Sequence, residues 1–142
     1  MWSGEFLLMN ERKDPSPMIW LLKVASLFRE DWQWAWMREA LPRLVEAQWG
    51  ARLLDIRAGE PAPEELDGLV DSVTEPVDPI GILRPERVLV FVLVDWERFP
   101  VNMVELIFSR LSDRFPEAKI EGLLLHQEGS MDLEIVLAAG TP

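Results

Sequence analysis

The sequence predicts an α+β fold, and two segments of different periodicity carry that prediction. Residues 88 to 94, Val-Leu-Val-Phe-Val-Leu-Val, are seven consecutive apolar residues, as expected for a central strand that is covered on both faces. Residues 63 to 74 instead place apolar side chains at helical spacing, with acidic side chains between them. We therefore predict a mixed sheet of four to five strands with helices packed over it.

Two helices are predicted near the N-terminus. Pro17 starts the first, because proline at the first helical position has no N–H to leave unpaired. This helix, about 17 to 29, is apolar nearly all round, so most of it should be buried. Asp31 can cap a second helix that runs toward a stop at Gly50 and is kinked or split at Pro42. We expect this helical pair to pack over the sheet.

The remaining elements alternate between strand and helix. A short strand is predicted at 51 to 57, and another helix begins at Pro100 and ends before Pro116. An additional strand at 5 to 9 would give the sheet a fifth member. If the acidic segment is also an insertion, the order becomes β-α-β-β-α-β with a hairpin partner, which is a ferredoxin-like arrangement.

The C-terminal part has the pattern of a β-hairpin. In the first segment one side carries Ile120, Gly122 and Leu124, and the other carries Lys119, Glu121 and Leu123. In the second segment Met131, Leu133, Ile135 and Leu137 lie opposite Asp132 and Glu134. Gly129 lies between the two segments, where a hairpin turn needs a positive φ. We therefore predict two antiparallel strands joined by a tight turn.

The composition indicates one domain, residues 1–142, with an acidic, proline-rich connecting segment at 58–86. The chain has no cysteine and one histidine, which excludes disulfides, thiolate metal sites and histidine clusters, and we expect no cofactor. The N-terminus lacks the pattern of a signal peptide, and no apolar stretch is long enough to span a membrane. We therefore expect a cytoplasmic protein. Eleven arginines against three lysines, with only five Asn and Gln, favour a thermophilic source.

The net charge of −11 disfavours direct binding to nucleic acid and favours a protein partner with a basic surface. Nine acids and two arginines lie within residues 55–86. On the predicted helix at 63 to 74, Glu64, Asp67 and Asp71 form a stripe opposite the apolar side. The stripe would dock against a basic surface, or it is a solvated face that keeps the protein soluble.

Trp32, Trp34 and Trp36 alternate as in a strand, but the surrounding cap and stop signals favour a helix. On that helix Trp34 falls among the apolar side chains predicted to face the core. Trp32 and Trp36 lie on another flank beside Arg43, and tryptophan and arginine are typical anchors of protein interfaces. The alternative is that both tryptophans pack within the monomer.

Carboxylates suggest a second class of function. Asp95 and Glu97 follow the central strand and Glu117 precedes the next one, so a metal-dependent enzyme with a carboxylate site is an alternative hypothesis. His126 has no serine or cysteine in a catalytic motif near it. The sequence has no glycine-rich nucleotide-binding motif.

We therefore predict a small acidic regulatory or inhibitory protein that binds a basic surface of another protein. Such surfaces belong to nucleic-acid machinery such as a polymerase or nuclease, so a phage-type modifier of transcription or an immunity-type protein fits the pattern. The alternatives are the carboxylate enzyme and a structural subunit of an obligate complex or homo-oligomer.

Overall fold

A computed structural model describes residues 17–43, 45–57, 59–77 and 84–141. The α+β class is confirmed, with a four-stranded mixed sheet. In chain order the elements are α1 (Pro17–Ser26), α2 (Asp31–Ala40), a 3₁₀ turn (Leu41–Arg43), β1 (Val45–Asp55), α3 (Pro63–Thr74), β2 (Arg87–Val94), α4 (Val101–Arg114), β3 (Lys119–His126) and β4 (Asp132–Thr141). No helix in these ranges is long and apolar enough to cross a membrane.

Strand β2 is the centre of the sheet, as its apolar run predicts. The strand order is β1-β4-β2-β3. Strands β2 and β3 are parallel and are connected through α4, whereas β4 runs antiparallel to both β1 and β2. All seven residues from Val88 to Val94 are buried, because helices cover both faces of the sheet and strands cover both edges of β2.

The two C-terminal strands and the short turn between them are confirmed, and Gly129 in that turn has φ 77°. The two strands do not pair directly with each other, because β2 lies between β3 and β4. Alternation of side chains identifies a strand and its buried face. It does not identify the hydrogen-bonding neighbour, which here is set by the helical crossover that places β3 beside β2.

The alternating residues of β2 feed two separate cores. Val88, Val90, Val92 and Val94 pack against α3 and α4. Leu89, Phe91 and Leu93 pack on the opposite face with apolar residues of α1 and α2. The predicted N-terminal helical pair therefore packs over the sheet, and the other two helices cover its second face.

The second helix is shorter than predicted. Helix α2 ends at Ala40, Pro42 lies in the 3₁₀ turn, and β1 already begins at Val45. Proline cannot donate the helical hydrogen bond and clashes with the preceding turn, so it ends this helix rather than kinking it. Gly50 is consequently a strand residue and not a helix stop.

Helix α1 is less buried than its composition predicts. Trp20 and Val24 face the sheet and are buried, but Met18, Ile19 and Leu22 are exposed. The sheet covers only one side of a helix that is apolar on both. The predicted strand at 5 to 9, and with it the ferredoxin-like arrangement, lies outside the described residues.

Candidate functional surfaces

Helix α3 carries the acidic surface, and its bounds are those that the sequence predicts. Proline at the start of the helix and the apolar spacing act locally, which explains the agreement. The apolar side faces the sheet and is formed by Leu66, Leu69, Val70 and Val73, all of which are buried. The carboxylates are therefore placed on the side away from the sheet.

The three predicted acidic contact residues differ in their partners. Glu64 and Asp71 are exposed, and neither forms an ion pair within the described part of the chain. Asp67 is about half-exposed and forms an ion pair with the guanidinium of Arg110 on α4. Its charge is therefore compensated locally, whereas Glu64 and Asp71 have no ion-pair partner in the described ranges.

Helix α4 supplies cations that sequence reasoning missed. The groove between α3 and α4 has a volume of about 360 Å³ and is lined by Asp67, Val70, Asp71, Arg110, Asp113 and Arg114. Arg114 also donates a hydrogen bond from Nε to the hydroxyl of Thr74 at 3.2 Å. The contact between the two helices is tertiary, so no local pattern in the sequence could have indicated these pairings.

Charge is distributed unevenly between the two sides of the sheet. Residues 55–77, which include α3, contain seven acids and one arginine, a net charge of −6. Residues 17–43, which form the helical pair on the other side, contain four basic and three acidic side chains, a net charge of +1. The negative potential therefore belongs to the α3 side.

The tryptophans of α2 have three different environments. Trp32 is exposed, as predicted. Trp36 is half-buried and packs edge-to-face on Phe91 of β2, with ring centroids 5.9 Å apart. The prediction that Trp34 lies in the core is wrong, because it is 44% exposed. Its ring is nearly perpendicular to that of Phe28, with ring centroids 4.9 Å apart.

The position of Trp34 follows from the side of α2 that faces the sheet. The buried residues of the helix are Gln33, Met37 and Ala40, an arc whose centre lies roughly 90° from Trp34 at 100° per residue. Trp34 therefore lies on the flank of α2 that contacts Phe28.

Arg43 is exposed and donates a hydrogen bond to the carboxylate of Glu39 at 3.0 Å. Together with Trp36 and Glu121 of β3, these residues line a cavity of about 80 Å³. The structure therefore brings Trp36 and Arg43 together. It places them on the opposite side of the sheet from Glu64, Asp67 and Asp71, so the six predicted contact residues do not form one surface.

Asp95 has a structural role that sequence reasoning did not identify. It follows β2 and is buried, and its carboxylate accepts hydrogen bonds from the N–H groups of Gly129 at 2.9 Å and Glu97 at 3.1 Å. The hydrogen bond from Gly129 is the main cause that holds the pKa of Asp95 below its ordinary value of 3.8. Burial acts in the opposite direction, and smaller contributions from Glu97, His126 and Arg98 add to that of Gly129. Asp95 thereby fixes the turn that passes over the end of the central strand.

His126 and Trp96 form an aromatic pair at the same edge of the sheet. Their rings stack with centroids 4.6 Å apart and an interplanar angle of 20°. The backbone N–H of Trp96 donates to Nδ1 of His126 at 3.3 Å. Carboxylate oxygens of Asp95 and Glu97 lie 3.8 and 3.9 Å from the two ring nitrogens. This histidine therefore packs on a turn and accepts a hydrogen bond from it.

The structure separates the carboxylates of the proposed metal site. Asp95 and Glu97 follow β2, at the end of the sheet where His126 pairs with Val94. Glu117 precedes β3, whose first residues pair with the start of β2. Eight residues of strand separate these ends, roughly 26 Å, so the three residues cannot share one metal ion. Within the described ranges, no group of three or more histidine or acidic side chains is placed to hold a metal.

No protein-family model and no curated protein sequence matches this chain. Among solved structures, CetZ2 from Haloferax volcanii in a GTPγS-bound protofilament has a similar fold, with a TM-score of 0.55 and 17% identity over 86% of this chain and 36% of that chain. A mutant of FtsZ from M. jannaschii gives a TM-score of 0.53 and 16% identity over 66% of this chain and 27% of that chain. The chain therefore spans well under half the length of these structures, and at such identities the similarity concerns the fold alone.

Proposed function

We propose that this protein is a regulatory protein that binds a basic surface of another protein through the acidic side of α3. The observation that carries the proposal is the segregation of charge, with a net −6 on residues 55–77 and +1 on residues 17–43. A basic partner is attracted to the α3 side, because the excess of acidic side chains is greater there than on residues 17–43. Such steering raises association rates and orients the two proteins before contact.

The exposed carboxylates make the α3 side suitable for this role. Glu64 and Asp71 project from the exposed side of a helix whose opposite side is anchored in the core. Asp67, paired with Arg110, links α3 to α4. The acidic residues are thus held on a rigid element, which reduces the entropy lost when they contact a partner.

The partner class follows from the same charge. Large basic surfaces in proteins commonly serve to bind the phosphates of nucleic acid. An acidic protein seated on such a surface would compete with the phosphates, which is an inhibitory mode of action. We therefore place the partner among nucleic-acid enzymes or DNA-binding factors, and this protein among their modifiers.

The test begins with affinity capture on immobilised protein at about 50 mM salt, followed by a measurement of the affinity of the captured partner as salt is raised. The α3 variant combines three substitutions of exposed acids: Glu64→Gln, Asp71→Asn and Glu75→Gln. The matched control combines three exposed acids elsewhere: Glu39→Gln, Glu97→Gln and Glu128→Gln. Each variant raises the net charge from −11 by three, to −8.

We expect the α3 variant to lose roughly tenfold in association rate and to show a weaker dependence on salt. The control variant should remain close to wild type. Equal losses in both variants would mean that net charge alone is responsible, and the absence of any basic protein among those retained at low salt would remove the proposal.

A further inference from the structure

The outer side of α1 is unusual among the helices of this protein. Its sequence, Pro-Met-Ile-Trp-Leu-Leu-Lys-Val-Ala-Ser, is apolar nearly all round, which is typical of a helix that is buried on all sides. The sheet covers Trp20 and Val24, whereas Met18, Ile19 and Leu22 are between 56 and 63% exposed. Helix α3, by contrast, presents acidic residues on its outer side.

The exposed apolar residues of α1 continue onto the sheet. Lys23 of α1 forms an ion pair with Glu134 of β4, whose side chain is nearly inaccessible. Glu134 lies directly opposite Leu53 of β1, and Leu53 is also exposed. Directly opposite residues of an antiparallel pair have neighbouring side chains. Leu53 therefore adjoins the flank of α1 that carries Lys23 and, one helical turn earlier, Ile19.

The other end of α1 adds an aromatic side chain. Trp34 packs against Phe28, two residues after the end of α1, and remains partly exposed. We name as the α1 face the set of exposed large apolar residues on and beside this helix: Met18, Ile19, Leu22, Trp34 and Leu53. Apolar patches of this extent on soluble proteins mark interaction sites.

We propose that a second copy of this chain covers the α1 face, with the two α1 helices packed across a twofold axis. The charge distribution favours this occupant. Residues 17–43 have a net charge of only +1, and Lys23 is compensated by Glu134, so two α1 faces can meet with little repulsion. The acidic residues of α3 in each copy lie on the far side of that copy's sheet. At physiological salt, charges separated by more than about 8 Å are largely screened from each other.

The area available agrees with a weak dimer. The five residues of the α1 face expose roughly 100 Å² each, or about 500 Å² per copy. Two copies would bury about 1,000 Å², which is in the range of weak, transient interfaces. The dimer therefore dissociates on dilution through the micromolar range. In the dimer the two α3 surfaces point outward, and both remain accessible to a basic partner.

Sedimentation velocity of the full chain between about 1 µM and 1 mM tests this proposal. The mass should rise from 16.4 kDa toward twice that value as the concentration increases. Leu22→Glu places a carboxylate on the axis and should remain monomeric at the highest concentration. Val101→Glu is the matched control, because Val101 is 61% exposed on a helix of the opposite face, and it should dimerise as wild type does.

A single-cysteine variant gives a second readout, because the chain has no cysteine of its own. Leu22→Cys should form a covalent dimer on mild oxidation at least tenfold faster than Val101→Cys. Equal rates for the two variants, or a dimer that persists in Leu22→Glu, would overturn the proposal.

Other occupants of the α1 face predict different results. A wild-type chain that stays monomeric, but whose melting temperature falls sharply in Leu22→Glu, would place the covering segment within the same chain and refute the dimer. A monomer whose α1 variants are as stable as wild type but lose a captured partner would assign the α1 face to that partner. Neither result affects the proposed role of α3, which depends on the acidic substitutions alone.

Discussion

Gly50 lies where β1 passes beneath the end of α3, and its replacement by alanine tests the packing of these two elements. A Cβ atom at this position would lie 2.5 Å from the carbonyl oxygen of Val73 and 2.9 Å from Cγ of Pro76. Ordinary contacts begin at 3.4 Å, so the end of α3 would have to move about 0.9 Å. The contacting oxygen belongs to the backbone and cannot rotate away.

The expected loss of stability follows from the packing between α3 and the sheet that this movement would disturb. The apolar side of α3, including Leu66 and Val73, is fully buried against the sheet. Overpacking of such a site costs about 1 to 3 kcal/mol, and we therefore expect Gly50→Ala to lower the free energy of unfolding by that amount. For a chain of this size, the melting temperature should fall by roughly 3 to 10 °C.

Gly68 provides the control, because it lies in the exposed middle of α3 and a Cβ there would meet nothing within 4 Å. Gly68→Ala should stabilise the protein by about 0.5 to 1 kcal/mol, since alanine restricts the unfolded chain and favours helix. Urea denaturation followed by circular dichroism measures both variants. The same substitution should thus have opposite signs at the two sites.

A third variant separates close packing from a helix stop at Gly50. Asparagine tolerates the left-handed conformation of a helix C-terminus, so a stop signal would accept Gly50→Asn better than Gly50→Ala. Close packing predicts the reverse order, because asparagine is larger. If Gly50→Ala were as stable as wild type, the contact between β1 and α3 described above would be incorrect.

Three further predictions concern other parts of the molecule. Trp36→Ala should lower the free energy of unfolding by about 2 to 3 kcal/mol in urea denaturation, because it removes a half-buried ring from the core. Trp32→Ala should change it by less than about 0.5 kcal/mol. Equal effects of the two substitutions would contradict the orientation of α2. Because the pKa of Asp95 is lowered from 3.8, its stabilising effect is complete above about pH 4 and disappears as the pH falls through the lowered pKa. Asp95→Asn should therefore melt below wild type at about pH 6, and a difference that persists undiminished at about pH 2 would rule out the carboxylate as its cause. Lys23→Ala should lower the free energy of unfolding by about 1 to 2 kcal/mol, a value discounted for the partial exposure of Lys23, because it leaves the carboxylate of Glu134 without its cation. Adding Glu134→Leu should recover most of that loss. A double variant no more stable than Lys23→Ala would show that the ion pair is not the cause.

Local patterns were sufficient for the elements whose signals lie within a few residues. The central strand and helix α3 are where the sequence predicts them, because an unbroken apolar run and a 3.6-residue periodicity are each complete within one element. The order of helices and strands is also as predicted. The end of α2 was not predicted correctly, because Pro42 is compatible with a kink, a split or an end of the helix. The choice among them depends on the pairing of β1 with β4, which is a contact between distant parts of the chain.

The candidate surfaces were predictable residue by residue but not as sites. Exposure of Trp32, Glu64 and Asp71 follows from helix geometry and is found in the structure. The pairing of Asp67 with Arg110 could not be predicted, because it depends on the contact between α3 and α4. The functional roles of these residues stay predictions that the experiments above can decide.

The sequence by itself determined the composition of this protein's surfaces: an acidic helix, a helix that is apolar nearly all round, and a strand that must be buried on both faces. Only the tertiary structure decided how these surfaces are arranged. It placed β2 between the two C-terminal strands, put the acidic residues and the tryptophans on opposite sides of the sheet, and left one side of α1 uncovered. The physical reason is that periodicity is a property of neighbouring residues, whereas strand order and the side of the sheet on which a helix packs depend on contacts between residues that are distant in the chain.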